Sequence, residues 1–175
     1  MLRCFLTLPR SLKCFAGVMF LILGLPLAAT AQVTQSWLML HKEMQDTMIV
    51  IDAAERAKLE QAGWTLNGTL GFVPDNEPGG VALHRMAQYN KVNGGRIFTA
   101  RSGEIKAAIN LGYTDEGKLG LVGLKQLSPG MVPVQRYRKG ERYIWLVDKS
   151  VQPWAEENGW RPDVISFWVR PVASP

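Results

Sequence analysis

Two histidines occur in the 175 residues, His41 and His84, and they hold matching places in two strand-like runs, His41-Lys42 and His84-Arg85. The corresponding third run carries Gln135-Arg136. Equivalent imidazoles gathered near a symmetry axis would make a weak two-His metal site, without the carboxylate or thiolate such sites normally add. Two strand residues facing solvent on separate units account for the same pattern, and this is the reading we take. No metal and no other cofactor is expected. Lys42, Arg85 and Arg136 give a basic position in all three runs, and Glu55 and Glu104 stand eight residues before Gly63 and Gly112, where the third copy has Val151. An Arg–Glu pair inside each unit would tie strand to helix and leave Arg136 free for an anionic ligand. A solvated charge on each strand is the simpler account, because exposed pairs contribute little.

Aromatic residues crowd the third unit: Trp145, Trp154, Trp160 and Trp168, with Tyr137 and Tyr143. Flat rings stack on sugars, so the cluster suits carbohydrate. Trp145 and Trp168 align with core positions of the other units, whereas Trp154 has no counterpart of its bulk. Trp154 and Trp37 are therefore the expected exposed ligand-binding residues, with Arg136 and Tyr137 beside them. Enzyme signatures are missing: the chain has no His-Glu-x-x-His, no Gly-x-Ser-x-Gly and no phosphate-cradling glycine loop. A Ser–His–Asp arrangement is recognised by geometry rather than spacing, and two histidines at matching unit positions speak against a dedicated base. No catalytic residue is expected.

The elements that must position these residues recur. Gly63-Trp64, Gly112-Tyr113 and Gly159-Trp160 stand at near-constant separation, each closing a helix-like run and preceding a strand-like one. A fixed period of roughly 20 to 50 residues marks a repeat architecture. Three units follow, 36–80, 81–131 and 132–171. Each opens with two β-rich runs around a polar turn (Gln45-Asp46, Asn93-Gly94-Gly95 or Lys139-Gly140-Glu141), a hairpin pattern. Each continues with a short helix, capped by Asp52 in the first unit and Ser102 in the second and stopped by the glycine. The third helix lies within Asp148 to Asn158, with Pro153 near its start, and is expected to be the shortest. A last strand holds Phe72, Leu121 or Trp168 nine residues past the glycine, while Ile49, Phe98 and Trp145 lie fourteen before it. The fold expected is mainly β with short helices, a pseudo-threefold, β-trefoil-like closed domain of three repeats, since closure buries each unit's apolar face and removes strand edges.

These residues resemble a secreted triple-repeat family of unassigned function, often appended to extracellular hydrolases. Its units read Pro-Val-Tyr-Arg, then Asp-His-Phe-Tyr-Thr, an acidic helix start, Gly-Trp, Glu-Gly and an aromatic strand. Val132-Pro133-Val134-Gln135-Arg136 matches the opening, Ile97-Phe98-Thr99 the second element, Glu55 and Glu104 the helix acid, and Glu116-Gly117 the Glu-Gly. The second-element histidine is absent here, and the opening tyrosine is His41, His84 or Gln135. The resemblance implies an accessory or binding role rather than chemistry.

The first 31 residues have the pattern of a secretory signal peptide: Arg3, Arg10 and Lys13, an apolar stretch from Ala16 to Leu27, and the small-x-small site Ala29-Thr30-Ala31. Cleavage after Ala31 is expected, with no membrane span left, because the apolar run is short and broken by Gly17, Gly24 and Pro26. Both cysteines, Cys4 and Cys14, lie in this segment, so residues 32–175 hold no disulfide and no thiol nucleophile. Three of the 20 Lys and Arg also leave, which puts 17 bases against 15 acids and weakens any nucleic-acid reading. A single domain over 32–175 remains, periplasmic or secreted. Its expected role is a non-enzymatic module binding carbohydrate or cell-wall glycan. The alternative is a protein-interaction or inhibitor module of the cell envelope, presenting loops such as Pro74 to Gly80.

Overall fold

The computed structural model describes residues 34–89 and 95–172. The expected signal peptide and most of the Asn93-Gly94-Gly95 turn lie outside them. Along the described chain run β1 (Gln35–His41), β2 (Asp46–Val50), α1 (Ala53–Gln61) and β3 (Thr65–Gly71). Next come β4 (Gly80–Ala87), β5 (Arg96–Thr99), α2 (Ser102–Asn110) and β6 (Thr114–Gly123). Last are β7 (Val132–Lys139), β8 (Arg142–Leu146), a 3-10 turn (Lys149–Val151), α3 (Gln152–Glu157) and β9 (Arg161–Pro171). The described residues are mainly β with three short helices.

Each helix ends the same way, for a reason visible in the sequence. Gly63, Gly112 and Gly159 take φ of 87°, 84° and 81°, a left-handed conformation that glycine enters without a Cβ penalty. That turn lets the next amide reach back: Trp64 N–H donates to Leu59 O, Tyr113 N–H to Ala108 O and Trp160 N–H to Ala155 O, each at 3.0 Å. The three stops are Schellman motifs. At the other end of α1, the Asp52 carboxylate accepts from Glu55 N–H at 2.8 Å, as expected. The expected Ser102 cap is corrected. Ser102 is already helical, Arg101 precedes it without a side-chain cap, and the Thr99 hydroxyl accepts from Arg101 N–H instead.

Among the described residues, all nine strands belong to one antiparallel sheet. It runs β2-β1-β3-β9-β6-β4-β5, with β7 on β9 and β8 on β7. The closed barrel expected from the sequence is not what forms; the sheet is open. β9 touches β3 through Leu70↔Pro171 and Gly71↔Arg170, and β6 through Gly123↔Trp168 alone. Where β2 approaches β8, a side chain does the work of a ladder: Trp145 N–H donates to Thr47 Oγ1 at 3.0 Å. Val147 N–H likewise donates to Asn67 Oδ1.

The main core gathers Leu38, Ile49, Phe72, Leu83, Phe98, Trp145 and Phe167, with Phe98 edge-on to Trp145. A second cluster holds Leu40, Tyr137, Ile144, Leu146, Ala155 and Trp160. Trp145 is fully buried, as expected. Trp168 is half-buried instead, because the register shifts after Val134 and Phe167 takes the inward place opposite it.

Candidate functional site

Register places the basic residues, and it corrects one of them. Arg85 lies opposite Phe98 and Arg136 opposite Trp145, but the residue opposite Ile49 is Leu38, not Lys42. Lys42 falls beyond the end of β1, in the turn where Gln45 adopts a φ of 52°. The ion pairs are corrected too, since each joins the helix that precedes the arginine's strand. Arg85 Nη1 donates to Glu55 of α1 at 3.2 Å, and its Nε lies 2.7 Å from Glu116, in ion-pair contact rather than an aligned hydrogen bond. Arg136 donates from Nη1 to Glu104 of α2 at 3.2 Å and from Nε to Asp163 at 2.8 Å. Its side chain is 12 % exposed and already satisfied, so it is not free for a ligand.

The other predicted residues also move inward. Tyr137 is 2 % exposed and belongs to the second core cluster. Trp154 is half-buried against that cluster. Trp37 is half-buried against the main core, with the Arg56 guanidinium 5.2 Å from its ring. Core packing claims part of both rings, and neither stands out as an exposed platform. The two histidines are engaged separately: His84 Nδ1 lies 2.9 Å from Asp115, and His41 Nδ1 accepts from Met44 N–H.

What the fold does assemble is a cleft between the end of α2 and the β7–β8 hairpin. It has a volume of about 310 Å³ and is lined by Gln88, Ile97, Leu111, Tyr113, Arg138, Glu141 and Tyr143. The hairpin is a two-residue turn, Gly140-Glu141, with positive φ at Gly140 alone, the pattern that suits the strand twist. It sets Arg138 directly across from Tyr143. Arg136 backs the site: its guanidinium sits 4.9 Å from the Tyr143 ring, a cation–π contact that fixes the ring's plane. A smaller cavity of about 50 Å³ shares Tyr113, Glu141 and Tyr143 and adds Asp46, Gly95, Arg96 and Arg142.

Tyr113 takes the place after the helix-stopping glycine that Trp64 and Trp160 fill with buried rings. Here the ring is half-exposed and faces the cleft. Burial, and then Tyr143 and Glu141 nearby, raise its phenol above 10.0; it remains a neutral O–H donor at ordinary pH. Gln88 is 8 % exposed, donates to Leu111 O at 2.8 Å, and has a buried Oε1 without a hydrogen-bond partner among the described residues. The cleft therefore offers two aromatic rings, a guanidinium, an amide and a carboxylate around an apolar floor. Sequence reading missed Tyr113 because the repeat made it a core plug. Its signal was the one tyrosine among two tryptophans.

A second cleft, of about 580 Å³, is lined by His41, Lys42, Glu43, Thr65 and Asn67, with Leu40, Leu66 and Val151. It is larger but presents no exposed aromatic plane beyond His41, whose ring is set edge-on to Trp64. Among the described residues, no three His, Cys, Asp or Glu gather as a metal site, and no helix is long and apolar enough to cross a membrane.

Comparison with known proteins gives a family without a function. A family model described as a domain of unknown function (DUF5648) matches residues 36–171. No curated protein and no solved structure matches.

Proposed function

Because the chain belongs to the DUF5648 family, whose function is unknown, its role has to be argued from the site, and we propose that it is an exported, non-enzymatic module binding carbohydrate in the Tyr113–Tyr143 cleft. The observation that carries the reading is the pair of tyrosines, held half-exposed across one cavity with Gln88, Arg138 and Glu141 around them. Sugars ask for this combination: a flat ring against the C–H face and several donors and acceptors at the edges. Export rests on the signal-peptide pattern of residues 1–31. Three units, 36–80, 81–131 and 132–171, remain our reading of the repeated strand-strand-helix-strand order. On that reading the site sits where the second unit departs from the other two.

The test is a glycan array or affinity electrophoresis on a panel of polysaccharides with the chain from residue 32. Retention that is lost in Tyr143→Ala and Tyr113→Ala supports the reading. Retention that ignores both substitutions would move the site elsewhere. A protein-interaction module is the second reading, favoured by the exposed Leu111 and Tyr89, 69 % and 66 % exposed. It predicts a captured envelope protein that Tyr89→Ser releases while glycan retention is unaffected or absent.

A further inference from the structure

We infer that the ligand of this cleft is an acidic sugar chain whose carboxylate or sulfate groups are taken by Arg96, Arg138 and Arg142, an inference that rests on the carbohydrate reading above. The disposition of arginines carries it. Arg56, Arg85, Arg136 and Arg170 each lie in ion-pair contact with a carboxylate of the chain. Among the described residues, Arg96, Arg138 and Arg142 at the cleft have no carboxylate within ion-pair distance. Arg138 Nε donates to Gly140 O at 2.8 Å, and Arg142 Nη2 to Met44 O and Gln45 O at 2.9 Å. Carbonyl bonds of this kind aim a guanidinium without cancelling its charge. Arg96 lines the same cavity as Arg142, and its buried Nε has no hydrogen-bond partner among the described residues.

The sheet register makes this concentration costly. Arg138 is the direct cross-strand partner of Arg161, and Lys139 that of Arg142. Like charges directly opposite one another destabilise a strand pair, and among the described residues Arg161 and Lys139 are bonded to neutral acceptors only. Two carboxylates line the cavities. Glu141 is engaged with the chain, and Asp46 accepts from the Thr47 amide at 2.8 Å and lies within electrostatic reach of both Arg96 and Arg142. A bound anion would relieve the repulsion and receive the planar, two-pronged contact that guanidinium groups give carboxylate and sulfate. The tyrosines beside them supply the sugar-facing surface, which separates this site from a merely basic patch.

The experiment measures affinity of the chain from residue 32 for polygalacturonate, dextran sulfate, neutral dextran and polyglutamate, at low and at raised salt. Binding to one or both acidic polysaccharides, weakening with salt and falling about tenfold in Arg138→Gln, supports the inference. Arg138→Lys should restore part of it, and Arg138→Gln should fold normally because it forfeits a single exposed bond to Gly140. Retention on polygalacturonate alone identifies a carboxylate, and on dextran sulfate alone a sulfate. Equal affinity for dextran, still lost in Tyr143→Ala, would overturn the acidic preference and leave the carbohydrate reading standing. Polyglutamate binding as tight as polygalacturonate would overturn it as well. Failure to bind any glycan would remove both.

Discussion

Arg136 on β7 crosses to Glu104 on α2, with its Nη1 3.2 Å from Oε1 and 3.3 Å from Oε2. The same guanidinium holds Asp163 and covers the Tyr143 ring. One residue thus ties consecutive strand-strand-helix-strand segments together and sets the rear wall of the cleft. Glu104→Gln removes the charge from a part-buried contact and is expected to cost about 1 kcal/mol. Urea denaturation measures it. Arg136→Met in the Glu104→Gln background should cost less than the sum of the two single changes; strict additivity would show that the pair contributes nothing of its own.

Trp154 is a packing residue. Half-buried against Tyr137 and Trp160, it should lose about 2 kcal/mol of stability as alanine. Its glycan retention, measured below the shifted melting transition, should equal that of the wild type. Any specific loss of retention would return the site to Trp154.

Gly68 has no room for a side chain. A Cβ there would meet Val147 Cγ1 at 2.3 Å, so Gly68→Ala should destabilise by about 2 kcal/mol through overpacking. Shortening the neighbour in Gly68→Ala/Val147→Ala should recover part of that loss. A single substitution with no effect on the denaturation midpoint would mean that β3 and the end of β8 are less closely packed than described.

Burial holds the Asp46 carboxyl above its ordinary 3.8, against the lowering influence of the Thr47 amide, Arg96, Arg142 and His41. The folded chain therefore keeps this proton to higher pH than the unfolded chain. Stability from Asp46 is greatest when the group is protonated and declines as pH rises from 3.8 through the raised folded value. Asp46→Asn should flatten that part of the pH dependence. Denaturation midpoints taken at steps from about pH 4 to about pH 6 will show it; an unchanged profile would mean that Asp46 is solvated.

Much of the local structure was legible in the chain, and the legible part was the part set by neighbouring residues. The glycine stops at 63, 112 and 159 follow from backbone conformation, and the Asp52 cap from a carboxylate three residues before an amide. Trp145 and Phe98 follow from their bulk at matching offsets. Register was not legible. Aligning on identity put Lys42 beside Arg85 and Arg136, while hydrogen bonding put Leu38 there, because a strand's pairing depends on turn length and bulges as well as on its own residues.

The sequence by itself determined a mainly β chain with three short, glycine-stopped helices, since caps, turns and alternation act over a few residues. Only the tertiary structure decided the open sheet, the arginine bridges between segments and the burial of Tyr137. It also decided which aromatic rings remain half-exposed at the cleft. Those outcomes depend on residues far apart in the chain competing for the same space. Tyr113 shows the difference: its place after a helix stop can be read from Gly112, but the half-exposed setting of its ring depends on the β7–β8 hairpin packed across from it.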